Sequence, residues 1–407
     1  MVQIRKLSNG IPVIYERVSN LRSVSVGICV KAGSRNEKQG ESGIFHFLEH
    51  MIFKGTKRRS SKDISELIDG IGGELNAFTS RETTVFYATV LDKNVDIAID
   101  LLGDMVTNST IANEEVEKER NVILEEIKMY EDMPEDMVHE NNIGNALKNT
   151  KLSRPVAGNE ESVKNISTEL LKSCFNKYYN QENIFVSVVG NFDIEKVENL
   201  LNQALASMKG KDITNEDMGE FKINNENVKL SKDTNQVHLC INTKGLSHPS
   251  EDIFKLYIVS NALGGGSSSR LFQSIREDRG LAYSVYSYLS CYKDGGLFTT
   301  YAGTSKESYK EVLELTHKEY EKLAKEGITE KELEKAKNQI ISSIVLDLEG
   351  SKSQMFRNMN LFFSTGEVKS FQQIVKQIRR VTLSDIKEFC DEHFNEKYYS
   401  YTALGDI

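Results

Sequence analysis

Glu115-Val116-Glu117-Lys118-Glu119-Arg120-Asn121-Val122-Ile123 returns late in the chain as Glu332-Leu333-Glu334-Lys335-Ala336-Lys337-Asn338-Gln339-Ile340. Most positions are identical or change only between Val and Leu or Arg and Lys. A second pair of segments repeats in the same order: Phe45 and Gly55 bracket an apolar helical pattern, and so do Phe254 and Gly264. Two echoes in one order point to an internal duplication.

Local patterning fills in the first copy. Ser23 to Val30 alternates apolar and polar residues and reads as a strand. Helices are expected over Gly43–Phe53 and Lys62–Ile71, the second with Ser60 or Ser61 as N-cap and Gly72-Gly73 as its stop. Glu74–Val90 reads as a hairpin broken near Ser80-Arg81-Glu82. Helices over Val95–Thr107 and Asn113–Tyr130 and a strand over Ile184–Val189 follow. From about Lys209 to Asn235 the composition turns polar, which marks a linker. The expected domains are therefore residues 1–210 and 220–407.

Composition narrows the class. At 407 residues the chain exceeds one ordinary domain, and 39% hydrophobic with 27% charged residues is globular. A net charge of −9 argues against a general nucleic-acid binder. The sequence has no apolar run of membrane-spanning length. Its first residues, Met1-Val2-Gln3-Ile4-Arg5-Lys6, resemble a strand rather than a signal segment, so a cytoplasmic protein is expected. The cysteines Cys29, Cys174, Cys240, Cys291 and Cys390 are scattered and form no C-x-x-C pair, and reduced buried thiols are expected.

The chemistry-bearing segment is His46-Phe47-Leu48-Glu49-His50. On a helix His46 and His50 lie one turn apart on one face and can share a tetrahedral metal ion. Glu49, at the edge of that face, can reach a metal-bound water without binding the metal. This is H-x-x-E-H, the reverse of H-E-x-x-H. A catalytic zinc needs a third protein ligand and an open position. Glu119 and Glu126, seven residues apart on one helical face, are both candidates, and spacing alone does not choose between them.

Gly43-Ile44-Phe45-His46-Phe47-Leu48-Glu49-His50-Met51-Ile52-Phe53-Lys54-Gly55-Thr56 resembles the signature of the pitrilysin family, which includes insulysin and the mitochondrial processing peptidase. The resemblance spans the whole chain. In that family the third ligand follows the second histidine by about seventy-six residues, and 126 − 50 = 76. It implies Glu126 as ligand, Glu119 as the glutamate behind the histidines, and Glu49 as general base toward zinc-bound water. Gly72-Gly73-Glu74-Leu75-Asn76-Ala77-Phe78-Thr79 is similar to the family's substrate-aligning edge strand, which implicates Asn76, Ala77 and Phe78. Arg276-Glu277-Asp278-Arg279-Gly280-Leu281-Ala282-Tyr283 is similar to its arginine–tyrosine pair, implying Arg276 and Tyr283 near the substrate and oxyanion.

The implied fold is α+β: two duplicated domains, each a mainly antiparallel sheet covered by helices, together forming half of a clamshell chamber. The implied activity is a zinc endopeptidase, one Zn2+ per chain, cutting peptides or unfolded segments. A homodimer is expected, with Arg276 and Tyr283 of one chain serving the site of the other. A noncatalytic peptide-binding or scaffold subunit, or a processing subunit needing a different partner chain, is the alternative. In the duplicated register His46, Glu49 and His50 correspond to Lys255, Ile258 and Val259, and Glu119 and Glu126 to Ala336 and Ser343. Only the first copy is expected to hold metal. Gly264-Gly265-Gly266-Ser267 lacks the Lys-Ser/Thr ending of a phosphate loop, and His139, His238, His248, His317 and His393 read as isolated.

Overall fold

The computed structural model describes residues 2–210 and 218–407, so residues 211–217 of the polar linker lie outside the described residues. The strands are β1 (Val2–Lys6), β2 (Pro12–Arg17), β3 (Ser23–Val30), β4 (Glu74–Thr79), β5 (Thr84–Leu91), β6 (Ile184–Gly190), β7 (Val228–Ser231), β8 (Val237–Lys244), β9 (Ala282–Cys291), β10 (Gly296–Thr304) and β11 (Ser400–Gly405). The helices before the linker are α1 (Ile44–Ile52), α2 (Ser61–Gly70), α3 (Val95–Asn108), α4 (Asn113–Glu131), α5 (Pro134–Ala146), α6 (Glu160–Asn165), α7 (Thr168–Tyr178) and α8 (Ile194–Ala204). After it come α9 (Ile253–Gly264), α10 (Tyr309–Glu326), α11 (Glu330–Asp347), α12 (Ser351–Thr365), α13 (Phe371–Arg380) and α14 (Leu383–His393). The expected α+β class is what the chain adopts.

Two compact units are present. One comprises Met1–Lys128, Arg154–Met218 and Asp347–Ser370; the other comprises Met129–Ser153, Gly219–Leu346 and Phe371–Ile407. The first unit holds a sheet in the order β1-β2-β6-β3-β5-β4, and the second a sheet in the order β7-β11-β8-β10-β9. In the first, β2–β6 is parallel and β6–β3, β3–β5 and β5–β4 are antiparallel. In the second, β7–β11 is parallel and β11–β8, β8–β10 and β10–β9 are antiparallel. Apart from β1, which pairs antiparallel with β2 and has no counterpart, the two pairing patterns match, which is the duplication in three dimensions.

The central strands of each sheet are buried on both faces, which explains why strands such as β6 read as nearly continuous apolar runs. All of β6, Ile184-Phe185-Val186-Ser187-Val188-Val189-Gly190, is buried. Alternate side chains such as Val26, Ile28, Phe86, Val186 and Val188 join α1, α3 and α7 in the main core of the first unit. The opposite face, with Ile14, Cys29, Val85, Phe185 and Val189, is closed by Met355 and Met359 of α12. That helix comes from the second half of the sequence. Reciprocally, α5 of the first half covers Cys240, Tyr301 and Leu404 through Val138. The buried side chains of Asn142 and Asn242 exchange two amide hydrogen bonds at 2.9 and 2.7 Å beneath α5. His139 and His238 are therefore not isolated. His139 bonds the hydroxyls of Tyr288 at 2.8 Å and Tyr286 at 3.2 Å, and His238 bonds Tyr301 at 2.9 Å. Sequence spacing could not reveal these contacts because α5 and its sheet are distant in the chain.

The cysteines are not joined in disulfides; Cys29, Cys174, Cys240 and Cys390 are buried, and Cys291 is only half-buried. No helix among the described residues is long and apolar enough to cross a membrane.

Gly27 of β3 lies directly under α12: a Cβ there would stand 2.8 Å from Met355 Sδ and 3.0 Å from Met359 Cε. Gly27→Val is expected to destabilise the protein by about 1–3 kcal/mol through overpacking, and Gly27→Ala by less because methionine side chains can yield. Urea unfolding of both variants measures this, and a neutral Gly27→Val would contradict the packing of α12 on β3.

Candidate metal centre

Helix α1 separates two faces. Ile44, Phe45, Phe47, Leu48, Met51 and Ile52 are buried in the core, and His46, Glu49 and His50 occupy the remaining face. Its first turn is fixed from outside. Gly43 sits at φ 90°, and Glu37 Oε1 accepts hydrogen bonds from the backbone N–H of Gly43 at 3.0 Å and of Phe45 at 3.4 Å. A Cβ at Gly43 would also meet the Ala157 carbonyl oxygen at 2.6 Å, so glycine is required there twice over. Burial pushes the Glu37 carboxyl up to about 8, against the pull of those N–H groups.

Helix α4 buries Val116, Glu119, Ile123 and Ile127, and it brings Glu126 beside the histidines. Glu126 Oε2 lies 3.7 Å from His46 Nε2 and 3.4 Å from His50 Nε2. One ligand atom from each of these three residues lies within 4.8 Å of the others, the one such group of three among the described residues. Tetrahedral bonds of about 2.0–2.1 Å require ligand atoms roughly 3.3 Å apart. The donor set and spacing therefore fit a single small divalent cation with an open position. Of the two glutamates left open by spacing, Glu126 faces both Nε2 atoms.

Glu119 stands behind the centre. Its Oε2 lies 3.1 Å from His50 Nδ1, and its Oε1 lies 2.6 Å from Lys54 Nζ. The carboxylate thereby favours a proton on Nδ1 and leaves Nε2 as the ligating atom. Lys54 was not singled out by sequence, although its position one helical turn beyond His50 is a readable signal. The Nδ1 of His46 is buried and has no hydrogen-bond partner.

Electrostatics divide the two histidines. Burial, reinforced by the neighbouring His50, drives His46 down to about 4, so it stays neutral. For His50 burial acts downward but is outweighed by the hydrogen bonds its ring donates to Glu126 and Glu119, and its pKa rises. Burial raises Glu49. The Thr79 hydroxyl donates to Glu49 Oε2 at 2.5 Å, a contact between β4 and α1 that no sequence spacing announces.

The edge-strand residues are where the sequence suggested. β4 ends the sheet order, with Asn76 and Phe78 exposed and Ala77 half-buried. In the second unit Arg276 lies on a π-helical turn, Phe272–Glu277, with its guanidinium 4.7 Å from the Phe272 ring centroid and 5.0 Å from that of Tyr283. Tyr283 is 74% exposed. The pair expected from sequence is in mutual contact, on a kind of turn that often marks function.

Two histidines of α1 and a carboxylate of α4, with Glu49 beside them, are a donor set of the kind that can hold a catalytic divalent metal. Comparison with known proteins is more specific. The insulinase (peptidase family M16) profile matches residues 12–160, and the peptidase M16 inactive domain profile matches residues 165–340. The Bacillus subtilis protein named "uncharacterized zinc protease YmxG" is 40% identical over 98% of this chain and 97% of its own. An uncharacterized zinc protease of Streptomyces coelicolor is 37% identical over 94% of this chain and 84% of its own. A protease from Helicobacter pylori superposes with a TM-score of 0.91 at 24% identity, covering 100% and 99% of the two chains. A subunit in the structure of complex III2 from Candida albicans has the same fold, with a TM-score of 0.87 at 20% identity over 100% and 96%. This chain belongs to peptidase family M16, in its short two-domain form.

The raised pKa of His50 gives a pH prediction. Below that pKa a proton occupies the imidazole, and a cation must displace it, whereas neutral His46 has none to lose. Metal affinity is therefore expected to fall as pH drops through the His50 titration, which lies above the ordinary histidine range, read by competition with a chromophoric chelator. Glu119→Gln should weaken binding about 10–100-fold in the same assay. Affinity that ignores both changes would contradict this arrangement.

Proposed function

We propose that the protein is a zinc endopeptidase acting on peptides or unfolded segments. The observation that carries this reading is the convergence of His46 Nε2, His50 Nε2 and Glu126 Oε2, with Glu49 one residue from a ligand. These three side chains would hold one zinc ion per chain. When bound, zinc supplies Lewis acidity, which lowers the pKa of a water and polarises a carbonyl. Glu49 takes the attacking water's proton and hands it to the leaving amine; burial raises its pKa, which makes it a stronger base for that proton. Glu126 and the two imidazoles are each partly exposed, as substrate access requires, and Glu119 with Lys54 keeps His50 oriented.

An extended peptide can pair with the outer side of β4 at Asn76 and Ala77, displacing the hydrogen bond that Ala77 N–H donates to Asn76 Oδ1 at 2.8 Å, with the exposed Phe78 ring beside it. Main-chain pairing carries little sequence preference, which suits a peptidase of broad range. Arg276 and Tyr283 are assigned to the substrate and the developing oxyanion. We place them in trans: two chains form a homodimer with a closed chamber, each supplying the other's arginine and tyrosine.

Glu49→Gln should lower kcat by about 10²–10⁴-fold on a quenched peptide while retaining zinc. A variant that keeps wild-type turnover sinks the mechanism, and a zinc-loaded wild type that cuts nothing supports a binding or scaffold subunit instead. Mixing Glu49→Gln with Arg276→Ala protein should restore about a quarter of wild-type activity, because about half of randomly paired dimers then carry one intact site. No recovery would overturn the arrangement in trans.

A further inference from the structure

We infer that Thr79 is a positioning residue for the reaction, orienting the Glu49 carboxylate through its hydroxyl. The inference rests on the reading of Glu49 as general base. It starts from one contact: Thr79 Oγ1 donates to Glu49 Oε2 at 2.5 Å. That length belongs to a charge-assisted O–H···O⁻ bond, about 2.5–2.7 Å and stronger than a neutral one.

A glutamate base has a weakness that such a bond corrects. Its terminal torsion has no sharp staggered minimum, so the carboxylate plane turns freely unless something holds it. His50 is held by Glu119, but Glu49 projects at the edge of the same helix face. Thr79 engages one named oxygen, Oε2, and thereby sets the direction in which Oε1 points.

The donor is itself well anchored. Thr79 is the last residue of β4 and pairs with Thr84 of β5. The chain then turns at once: Ser80 N–H donates to the Thr83 carbonyl at 2.7 Å, and the Ser80 hydroxyl to the same carbonyl at 3.0 Å. The turn is tied down by backbone bonds from Ser34 N–H to Ser80 O at 3.2 Å and from Arg35 N–H to Arg81 O at 2.8 Å. Buried Arg35 also pairs with Glu82 at 2.7 Å. The hydroxyl therefore hangs from a fixed point.

The same short strand bears Asn76 and Ala77. One rigid element thus sets both the register of a peptide lying along β4 and the orientation of the base that acts on it. A β-branched residue with a hydroxyl meets both demands, since the branch suits the strand and the oxygen serves Glu49.

The experiment compares Thr79→Val, which keeps the branch and loses the donor, with Thr79→Ser, which keeps the donor. Zinc-loaded Thr79→Val is expected to lose about 10–100-fold in kcat, as misplacement of a reacting group costs, with KM within about twofold. Its zinc content and melting temperature should match wild type. Thr79→Ser should recover kcat to within about fivefold of wild type. Crystal structures should show one Glu49 rotamer in wild type and Thr79→Ser, and more than one in Thr79→Val. In the double variant with Glu49→Gln, Thr79→Val should cost nothing further. A wild-type kcat or an unmoved Glu49 in Thr79→Val overturns the proposal, as does loss of zinc or folding that Thr79→Ser shares. If Glu49→Gln itself keeps wild-type turnover, the base assignment falls and Thr79 with it. If only Glu49→Gln is dead, the positioning role alone fails.

Discussion

The centre depends on the distance and rotation at which α1 and α4 meet. Two imidazoles and a carboxylate share one coordination sphere only if both helices present the right faces, and a fraction of a turn in either would separate them. The apolar face of α1 fixes its rotation in the core, and Glu37 fixes its first turn. Arg120 of α4 lies over the Phe47 ring at 5.4 Å, and its guanidinium also bonds the Val163 carbonyl. Glu119, almost fully buried, joins α4 to α1 through His50 and Lys54. Burying such a carboxylate is costly unless it is paired, and both its oxygens are paired here. The charged links that orient the ligands are thus also those that clamp the helices.

The second unit shows what the same scaffold becomes without this task. Where α1 carries His46, Glu49 and His50, α9 carries Lys255, Ile258 and Val259, and both Ile258 and Val259 are buried. Ala336 is buried at the position of Glu119. Apolar packing replaces the polar face, and the desolvation cost of the His46, Glu49 and His50 cluster disappears with it. The unit instead carries Arg276 on a π-helical turn, a departure from ideal helix that the first copy does not need. The profile named for the inactive domain, residues 165–340, covers most of this unit's sheet but begins in the first unit.

Much of this was legible in the residues. The strand at Ser23–Val30 is β3 to the residue, and the hairpin, α3, α4 and β6 fall within a residue or two of the expected bounds. Periodicity reports such elements because each faces a core. The site was legible through a short-range motif, His46 to His50, plus a distance to Glu126 that only the family resemblance could select. Thr79 and the ring cluster around His139 were not legible, because they join segments whose separation carries no pattern. Lys54 lay in between: its spacing from His50 was visible, but its partner was not.

The traded helices α5 and α12 bear on how the chain reaches this state. During synthesis the sheet of the first unit is complete once β6 has emerged, yet its face at Ile14, Cys29 and Phe185 waits for Met355 and Met359. Until then a nascent chain displays an apolar sheet surface of the kind that recruits chaperones or aggregates. Pairing α12 with β3 joins residues more than three hundred positions apart, as the Ser25–Ser351 hydrogen bond illustrates, and such closures are slow. The first half is therefore a late-finishing folding unit, and the polar linker between the copies is a poor place to divide the gene.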